Sequence, residues 1–463
     1  MSKKKTSSQP EILFKSDLSG RGPVHAQVEH AIREAVRSGR LRLGLPLPST
    51  RVLARDLGVS RGVIVEAYEQ LIAEGYLVAR ARSRTVVAAG ASTVSEKHHY
   101  NATPQPNFDF RPGLPDLSLF PRHAWVRSLR RTLNAIHPAQ LSYSEPQGDR
   151  TLREGLCDYL GRVRGVLTRP GQVVICNGIA QALVLISQAL QKRGISRIAV
   201  EDPCQPDLIR IVSDVGLIPV GVPVDEDGIK VDLLERMEIQ AVVITPAHQF
   251  PTGTVLIPER RKQLVDWAVR NSAFIIEDDY DAEYRYDRAP VGAIQGLAPE
   301  RVIYTGSLSK ILAPALRIGW IIIPAEIYAA IEERKKNADL MSPILQQLAF
   351  ADFLREGELD RHLRRMRGFY RRRRDALIGA LARHFPDWRP MGVAAGLHLV
   401  AKLPPGSDEQ EIARLSSARS VRLYPMRQYG FKAASEPALV FGYGSLSESQ
   451  IRRGISQLAA ALR

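Results

Sequence analysis

The chain has 463 residues with 44% hydrophobic and 24% charged content, which is typical of globular proteins. This length exceeds what one ordinary hydrophobic core supports, so we expect two or more domains. No stretch approaches the roughly 20 apolar residues of a membrane-spanning helix, and no apolar signal segment follows the basic first residues. The composition therefore predicts a cytoplasmic protein that has no membrane partner.

The chain contains three cysteines, Cys157, Cys176 and Cys204, which are far apart in the sequence. Their spacing matches neither a metal site nor a disulfide framework, as is common in a reducing compartment. We interpret them as small buried side chains and expect no metal site.

Basic residues are concentrated near the N-terminus. The net charge is +15, and residues 1–87 alone hold 15 lysines and arginines against eight acidic residues. Such an excess favours a polyanionic partner. Residues 88–109 are small, polar and proline-containing, which is the chemistry of a linker. We therefore predict a first domain at 1–87, a linker at 88–109 and a second domain at 110–463.

The first domain shows the periodicity of three helices. Apolar residues recur every four positions in the first helix, at Val24, Val28, Ile32 and Val36. Ser49 or Thr50 is predicted to cap a second helix that ends near Leu57. Ser60 is predicted to cap a third helix, which Gly75 closes. The apolar positions of that third helix are Ile64, Ala67, Tyr68, Leu71 and Ile72.

Two short strands, 76–78 and 85–87, follow and form a hairpin whose tip carries Arg80, Arg82 and Arg84. Two short helices with a tight turn and then a basic hairpin indicate a winged helix-turn-helix. Ser60 and Arg61 begin the third helix and are expected to read bases in the major groove. Arg51 is expected to contact phosphate, and the hairpin arginines the DNA backbone or minor groove. The alternative is a basic helical domain that binds a protein.

The second domain contains seven short apolar runs that are rich in β-branched residues. They are 173–176, 198–201, 218–222, 241–244, 274–277, 302–306 and 318–323. Buried strands that alternate with helical stretches predict an α/β domain with a seven-stranded, mainly parallel sheet over about 150–330. Residues 331–463 are first helical and then hold two apolar runs, 397–403 and 438–444, which predict a smaller α+β domain.

The strongest chemical signal surrounds Lys310, which follows the run 302–306. A lysine amine can form a Schiff base with an aldehyde cofactor. Ser307 and Ser309 precede Lys310, and Arg317 follows it. Two hydroxyl groups and an arginine are suited to bind a phosphate ester.

Two other strand ends carry matching groups. Asp278 and Tyr280 follow the run 274–277, at the sheet edge where open α/β folds bind ligands. An aspartate there can keep a pyridine nitrogen protonated, and a phenol can bond a ring hydroxyl. A helix begins after the run 173–176 and offers free backbone N–H groups to the same phosphate, at Gly178, Ile179 and Ala180.

Residues 47–77, LPSTRVLARDLGVSRGVIVEAYEQLIAEGYL, closely resemble the GntR-type winged helix. Residues 110–463 resemble fold-type I aminotransferases, which depend on pyridoxal 5'-phosphate, and the fusion resembles MocR-type regulators of the GntR family. The resemblance implies that Lys310 carries the internal aldimine, that Asp278 pairs with the pyridinium and that Tyr280 contacts the ring oxygen. It assigns phosphate binding to Ser307, Ser309 and Arg317.

The resemblance also implies a homodimer, in which Tyr143 reaches the phosphate of the neighbouring subunit. His248, in the segment TPAHQFPTG, is expected to line the cofactor pocket, with a satisfied core histidine as the alternative. The wing tip departs from the related domains, which usually have glycine where this chain has Ser83 and Arg84.

Three positions depart from the aminotransferase pattern. Gln205 stands where the family has a tyrosine that stacks on the cofactor ring. Glu436 and Val440 stand where relatives carry the arginine that binds a substrate carboxylate. If Glu436 lines the pocket, it repels a carboxylate and favours an amine or a cationic ligand.

We therefore expect a homodimeric regulator that binds double-stranded operator DNA and senses pyridoxal phosphate, an amine or an amino acid, rather than an enzyme. One alternative is a working aminotransferase with an accessory DNA-binding domain. The other is a regulator whose effector domain is free of cofactor. The segment 361–374 holds eight arginines. We interpret it as a solvated helix face, with a second contact to the DNA backbone as the alternative.

Overall fold

The computed structural model describes residues 22–80, 84–88, 106–287, 291–392, 394–431 and 436–463. The chain forms two compact units, residues 1–104 and 105–463. The division falls inside the segment 88–109, which the sequence predicts to be a linker. None of the described helices has the length and apolar character needed to cross a membrane.

The described residues of the first unit form three helices and a hairpin. They are α1 (Val24–Arg37), α2 (Thr50–Leu57), α3 (Arg61–Ala73), β1 (Leu77–Arg80) and β2 (Arg84–Val87). The strands pair antiparallel, with Arg80 opposite Arg84. Ile32, Ile64 and Leu71 are fully buried between the helices, as the periodicity predicts.

Glycine and serine set the turns of this unit. Ser49 caps α2, since its hydroxyl accepts a hydrogen bond from the Val52 backbone N–H at 3.4 Å. Gly58 ends α2 at φ 66°, a left-handed conformation that glycine adopts without a steric cost. Ser60 occupies the cap position of α3, but its side chain accepts no hydrogen bond there. The predicted cap position of Ser60 is therefore confirmed, without a capping hydrogen bond from its side chain.

The second unit is built on one large sheet. Its strands in chain order are β4 (Val173–Cys176), β5 (Arg197–Asp202), β6 (Ile218–Asp225), β7 (Gly228–Ile229), β8 (Ala241–Ile244), β9 (Phe274–Asp278), β10 (Val302–Ser307) and β11 (Gly319–Ile322). The order across the sheet is β4-β11-β10-β9-β8-β5-β6-β7. All seven predicted strands are confirmed, and the two-residue β7 is an addition that the sequence did not predict.

The sheet is mainly parallel, but β11 runs antiparallel to β10 and to β4. The physical reason is the connection between β10 and β11, which spans only residues 308–318. A parallel return needs a crossover of a dozen residues or more, usually a long helix. This short connection also carries Lys310.

Helices cover both faces of the sheet. They are α5 (Arg150–Arg164), α6 (Ile179–Lys192), α7 (Pro206–Asp214), α8 (Val231–Leu234), α9 (Pro258–Arg270) and the four-residue α10 (Leu308–Ile311). Successive strand residues face opposite sides, so Ile276 packs in the apolar cluster with α6 and Ile275 in the cluster with α9. The strands β4, β8, β9, β10 and β11 are therefore buried on both faces, which explains their continuous apolar runs, whereas β6 near the sheet edge is only partly buried.

The rest of the unit is the predicted smaller α+β part with flanking helices. Its elements are β3 (Phe108–Asp109), α4 (Arg122–Ala135), α11 (Ala325–Asp339), α12 (Ile344–Arg355), α13 (Glu358–His384), β12 (Arg389–Met391), β13 (His398–Lys402), α14 (Glu409–Ala418), β14 (Val421–Arg422), β15 (Tyr424–Pro425), β16 (Ala438–Gly442) and α15 (Glu448–Ala461). Four strands form a sheet in the order β12-β13-β16-β15, and β14 pairs parallel with β3.

The arginine-rich segment lies on α13 and is only partly a solvated face. Arg373 is buried and pairs with Asp116 at 2.5 Å. Arg367 donates a hydrogen bond to the Glu283 carbonyl at 2.7 Å. Some of these arginines therefore hold the helix against its neighbours, because a buried guanidinium needs acceptors in the protein.

Of the three cysteines, Cys176 and Cys204 are buried and Cys157 is partly buried, and all three are free thiols. The interpretation as small packed side chains holds for the two buried residues.

Candidate cofactor site and DNA interface

Asp278 and Asp279, at the end of β9, have different surroundings because successive side chains of a strand point to opposite faces. Asp279 is buried, forms an ion pair with Arg164 at 2.7 Å and accepts a hydrogen bond from the Tyr304 hydroxyl at 2.5 Å. The carboxylate of Asp278 forms no hydrogen bond or ion pair within the described chain. Burial, and next the negative charge of Asp279, raise the pKa of Asp278 to about 7, and the cation of Lys310 opposes this shift. Asp278 is therefore the carboxylate of this pair that is available to a ligand.

Lys310 lies on α10, directly after the central strand β10. Its Nζ packs so closely on Gly113 that a Cβ at that glycine would be 3.2 Å from it. Burial lowers the pKa of Lys310, the carboxylates of Asp281 and Asp278 raise it, and the cation of Arg111 lowers it. A lysine with a lowered pKa has more of the unprotonated amine that attacks an aldehyde.

Arg317 lies over the start of α6. Its φ is 51°, a left-handed conformation that is unfavourable for any residue except glycine. In this conformation its guanidinium donates to the Asn177 carbonyl and packs against Gly178, where a Cβ would be 3.3 Å from Nη1. The guanidinium of Arg317 is thus held beside Asn177 and Gly178, at the start of α6.

The start of α6 supplies backbone donors beside that cation. Gly178 has φ 90°, and Gly319 packs on it so tightly that a Cβ at Gly319 would be 2.8 Å from the Gly178 Cα. The first N–H groups of a helix lack partners within the helix, and here they belong to Ile179 and Ala180. An anion is favoured at this position by the free N–H groups and the helix dipole.

The two predicted serines both precede Lys310. Ser307 is buried at the end of β10, and its Oγ accepts a hydrogen bond from the Ser309 backbone N–H at 3.4 Å. Ser309 is half-buried. The structure places both hydroxyls on the same short connection as Lys310 and Arg317.

His248 and Tyr280 form one wall of the site. The Tyr280 hydroxyl donates to the His248 carbonyl at 2.9 Å, and the two rings stack with centroids 6.1 Å apart. His248 is 3% exposed, and its Nδ1 lies 3.1 Å from Asp281. His248 is buried and contacts Tyr280, but its Nε2 has no hydrogen-bond partner within the described chain, so it is not a fully satisfied core histidine, and its place in the cofactor pocket stays a prediction.

Sequence reasoning missed Asp281 and His398 in this wall. The His398 ring lies 4.9 Å from that of His248, and its Nε2 donates to the Pro251 carbonyl at 3.1 Å. One ligand atom from each of His248, Asp281 and His398 lies within 4.8 Å of the others. His248 and Asp281 are already joined by a hydrogen bond through Nδ1, although the buried His248 Nε2 has no partner within the described chain, and we assign these groups to the pocket wall.

These groups fit pyridoxal phosphate. Lys310 provides an amine, Asp278 a free carboxylate, and Tyr280 a phenol whose pKa is raised by burial, so that it stays a hydrogen-bond donor. Arg317 and the start of α6 provide the anion site. Bound there, the cofactor would supply an aldehyde for amine chemistry and a ring that withdraws electrons.

The predicted DNA-contacting residues lie on the surface of the first unit. Arg51, Ser60 and Arg61 are exposed at the starts of α2 and α3. The side chains of Arg51 and Arg61 make no hydrogen bond or ion pair in the part of the chain that the structure describes. Arg80 and Arg84 are exposed and lie opposite each other at the end of the hairpin where the two strands are connected. Arg82 lies outside the described residues.

Comparisons with known proteins agree with this division. Residues 115–458 match the family aminotransferase class I and II, and residues 25–87 match bacterial regulatory proteins of the gntR family. The probable rhizopine catabolism regulatory protein MocR of Rhizobium meliloti is 32% identical, over 95% of this chain and 94% of its own length. The chain is a MocR-type regulator of the GntR family.

Two further similarities agree with the MocR-type assignment, one over nearly the whole chain and one over the second unit. The pyridoxine biosynthesis transcriptional regulator PdxR of Corynebacterium glutamicum is 32% identical, over 95% of this chain and 96% of its own. The kynurenine aminotransferase of Pyrococcus horikoshii, solved with pyridoxamine phosphate (PMP), has a TM-score of 0.71 at 27% identity, over 78% of this chain and 91% of its own. The second unit is thus a fold-type I domain that binds pyridoxal phosphate, and the first is a DNA-binding domain.

Other predicted positions of the MocR-type chain lie away from these groups. Tyr143 is 85% exposed, and within the described chain its side chain contacts none of the cofactor-site groups. Gln205 is exposed at the start of α7 and offers no aromatic ring.

The two positions of the missing carboxylate arginine are also resolved. Glu436 is exposed and its carboxylate pairs with Lys402 at 2.6 Å. Val440 is buried in β16, where it pairs with Val400 and Tyr424. The expectation that Glu436 repels a carboxylate in the pocket is therefore not supported, because Lys402 neutralises it at the surface.

Proposed function

We propose that this chain is a homodimeric transcription regulator that binds operator DNA and uses pyridoxal phosphate to sense an effector. The observation that carries the proposal is the set of unpartnered groups at adjacent strand ends, Lys310 and Asp278, beside the anion site of Arg317 and α6. The effector is pyridoxal phosphate itself, or a small amine or amino acid that reaches it. The named relatives regulate rhizopine catabolism and pyridoxine biosynthesis, which supports a link between such domains and nitrogen-containing small molecules.

The residues have distinct roles in this proposal. Lys310 holds the cofactor aldehyde, Asp278 keeps the pyridine nitrogen protonated, and Tyr280 contacts the ring oxygen. Ser307, Ser309, Arg317 and the N–H groups of Gly178, Ile179 and Ala180 bind the phosphate. Tyr143 contacts the phosphate of the neighbouring subunit, and His248 orients Tyr280.

The DNA contacts follow from exposure and charge. Arg61 and Ser60 read base edges in the major groove, Arg51 contacts phosphate, and Arg80, Arg82 and Arg84 contact the backbone or minor groove. A winged-helix dimer reads two half-sites. Because operator DNA is its partner, we propose that the protein acts in the cytoplasm.

The decisive experiment replaces Lys310 by alanine in the full chain with added pyridoxal phosphate. The wild type is expected to show the visible absorption band of a Schiff base, and borohydride is expected to fix the cofactor on Lys310. The Lys310→Ala variant is expected to lack both signals. A wild-type protein without the band contradicts cofactor sensing and favours the alternative of an effector domain that is free of cofactor.

An aminotransferase with an accessory DNA-binding domain is the second candidate, favoured by the similarity to the kynurenine aminotransferase. The discriminating measurement supplies common amino acids together with a keto acid. A regulator is expected to give slow or no turnover, with operator affinity that changes with the ligand. Rapid multiple turnover with any of these substrates would establish the enzyme instead.

A further inference from the structure

The segment 110–113 places Arg111 beside the cofactor site. The Phe110 backbone N–H donates to the Arg422 carbonyl at 3.1 Å, and the Gly442 N–H donates to the Phe110 carbonyl at 2.8 Å. Three residues later, Gly113 packs against the Nζ of Lys310. The segment is thus fixed at one end by β14 and β16 and at the other by the Schiff-base lysine.

Close packing fixes Arg111 itself within this segment. A Cβ at Gly442 would lie only 2.0 Å from the Arg111 carbonyl oxygen, so only glycine permits this approach. The backbone of Arg111 is therefore held against the end of β16, while its side chain is exposed. An exposed side chain on a fixed backbone can be reached by a ligand without a rearrangement of the fold.

The charge of Arg111 acts on groups from three separate elements. Burial lowers the pKa of Lys310 on α10 and raises the pKa of Tyr424 on β15 and of Tyr429 in the 3-10 helix after β15. The positive charge of Arg111 adds to the lowering at Lys310 and opposes the rise at the two tyrosines. Arg111 precedes by only two residues the Gly113 that packs against the Lys310 Nζ, a separation of at most about 7 Å along the chain, so its side chain starts beside the site. Asp109, the acid nearest in sequence, already accepts a hydrogen bond from the Tyr424 hydroxyl at 2.8 Å. Within the described residues, Arg111 has no hydrogen-bond or ion-pair partner of its own.

We propose that Arg111 binds a carboxylate of the effector, so that the sensed molecule is an amine that also carries a carboxylate group. A planar guanidinium matches a carboxylate with two parallel hydrogen bonds, and an unpaired arginine beside a pocket can make them without losing an existing partner. Arg111 thus supplies the carboxylate-binding function that Glu436 and Val440 lack. This inference rests on the proposed function, since it concerns an effector of the same cofactor site.

The test compares amines that differ only by a carboxylate, glycine against methylamine and β-alanine against ethylamine. The holoprotein is titrated with each, and the concentration for half of the change in cofactor absorption is measured, together with operator affinity. For at least one pair, the wild type is expected to respond at a concentration about tenfold or more lower for the carboxylate-bearing member. In Arg111→Gln the ratio within that pair is expected to fall to about one, and Arg111→Lys is expected to retain part of it.

Arg422→Gln is the matched control, because Arg422 is an exposed arginine on the neighbouring β14, with its guanidinium 5.6 Å from the Tyr424 ring. The wild-type ratio is expected in this variant. A wild type without preference in either pair, or a preference that persists in Arg111→Gln, overturns the assignment of Arg111. A wild type without the Schiff-base band overturns the proposed function and this inference with it. A normal band without the preference refutes the inference alone.

Discussion

At the scale of single residues, the cofactor site is defined by groups that lack partners. Asp279 forms an ion pair with Arg164 and accepts a hydrogen bond from Tyr304. Its neighbour Asp278 has no hydrogen-bond partner in the described chain, and its pKa is raised to about 7. An unpaired, partly buried carboxylate is unfavourable for the fold and useful for a ligand. Binding sites commonly retain such costs, because the ligand supplies the missing partner.

This cost predicts a pH-dependent effect of Asp278→Asn on the cofactor-free protein. Because the folded state raises the pKa of Asp278, the folded chain retains a proton that the unfolded chain releases above about pH 4. The free energy of unfolding of the wild type therefore decreases as the pH rises from about 4 to 7. Asparagine has no such charge, so the variant is expected to be more stable at pH 8 by on the order of 1 kcal/mol.

The measurement is the urea midpoint of the second unit at pH 5 and pH 8, without cofactor. The difference between variant and wild type is expected to be small at pH 5 and larger at pH 8. Asp266→Asn, an exposed residue paired with Lys262, serves as the control. A stabilisation that is the same at both pH values contradicts the assigned pKa of Asp278.

At the scale of elements, the N-terminal turn of one helix in each unit, α6 and α3, determines what that unit can bind. The start of α6 faces Arg317 and suits an anion, whereas the start of α3 is exposed and carries Arg61. A helix N-terminus favours anions in both cases. One is enclosed by side chains and fits a small phosphate, and the other is open and fits a DNA groove.

The positions of Arg61 and Arg51 predict two different effects on DNA binding. Arg61→Ala is expected to weaken the specific operator by about 1–3 kcal/mol and to relax the preference at one base pair. Arg51→Ala is expected to weaken all sequences alike and to reduce the salt slope by about one unit. Binding to an operator and to a scrambled duplex over a range of salt concentrations checks both. Unchanged operator selectivity in Arg61→Ala removes that residue from base reading.

At the scale of the whole molecule, a single chain leaves Tyr143 without a role. Its ring is 85% exposed, which is unusual for an aromatic side chain, and within the described chain it contacts no group of the cofactor site. A dimer that places Tyr143 at the phosphate of the neighbouring subunit accounts for this exposure. Each cofactor site is then completed by both chains.

Shared sites predict complementation between two defective variants. Lys310→Ala lacks the Schiff-base lysine, and Tyr143→Ala is expected to bind the cofactor about tenfold more weakly, through the loss of a phosphate hydrogen bond. A mixed dimer contains one site with both native residues. Mixed subunits are therefore expected to show a component of wild-type cofactor affinity that neither variant shows alone. Titration curves that are the average of the two variants contradict a shared site.

The sequence by itself determined the elements and the central chemistry of this protein. Seven of the eight strands of the large sheet follow from apolar runs, because strands in the middle of a covered sheet show no polar alternation. Lys310 and Asp278 were recognised because each directly follows such a run, and a strand end is a local feature of the chain.

Only the tertiary structure decided which groups meet. The contact of Gly113 with Lys310, the hydrogen bond between His248 and Asp281, and the place of Arg111 all join residues that are far apart along the chain. No periodicity records such pairs, since they depend on strand order and on the packing of the end of β16 against residues 110–111. The same holds for Glu436, whose pairing with Lys402 is set by neighbouring strands of the small sheet. Local patterns specify elements because they depend on backbone geometry, whereas a binding site depends on how those elements pack.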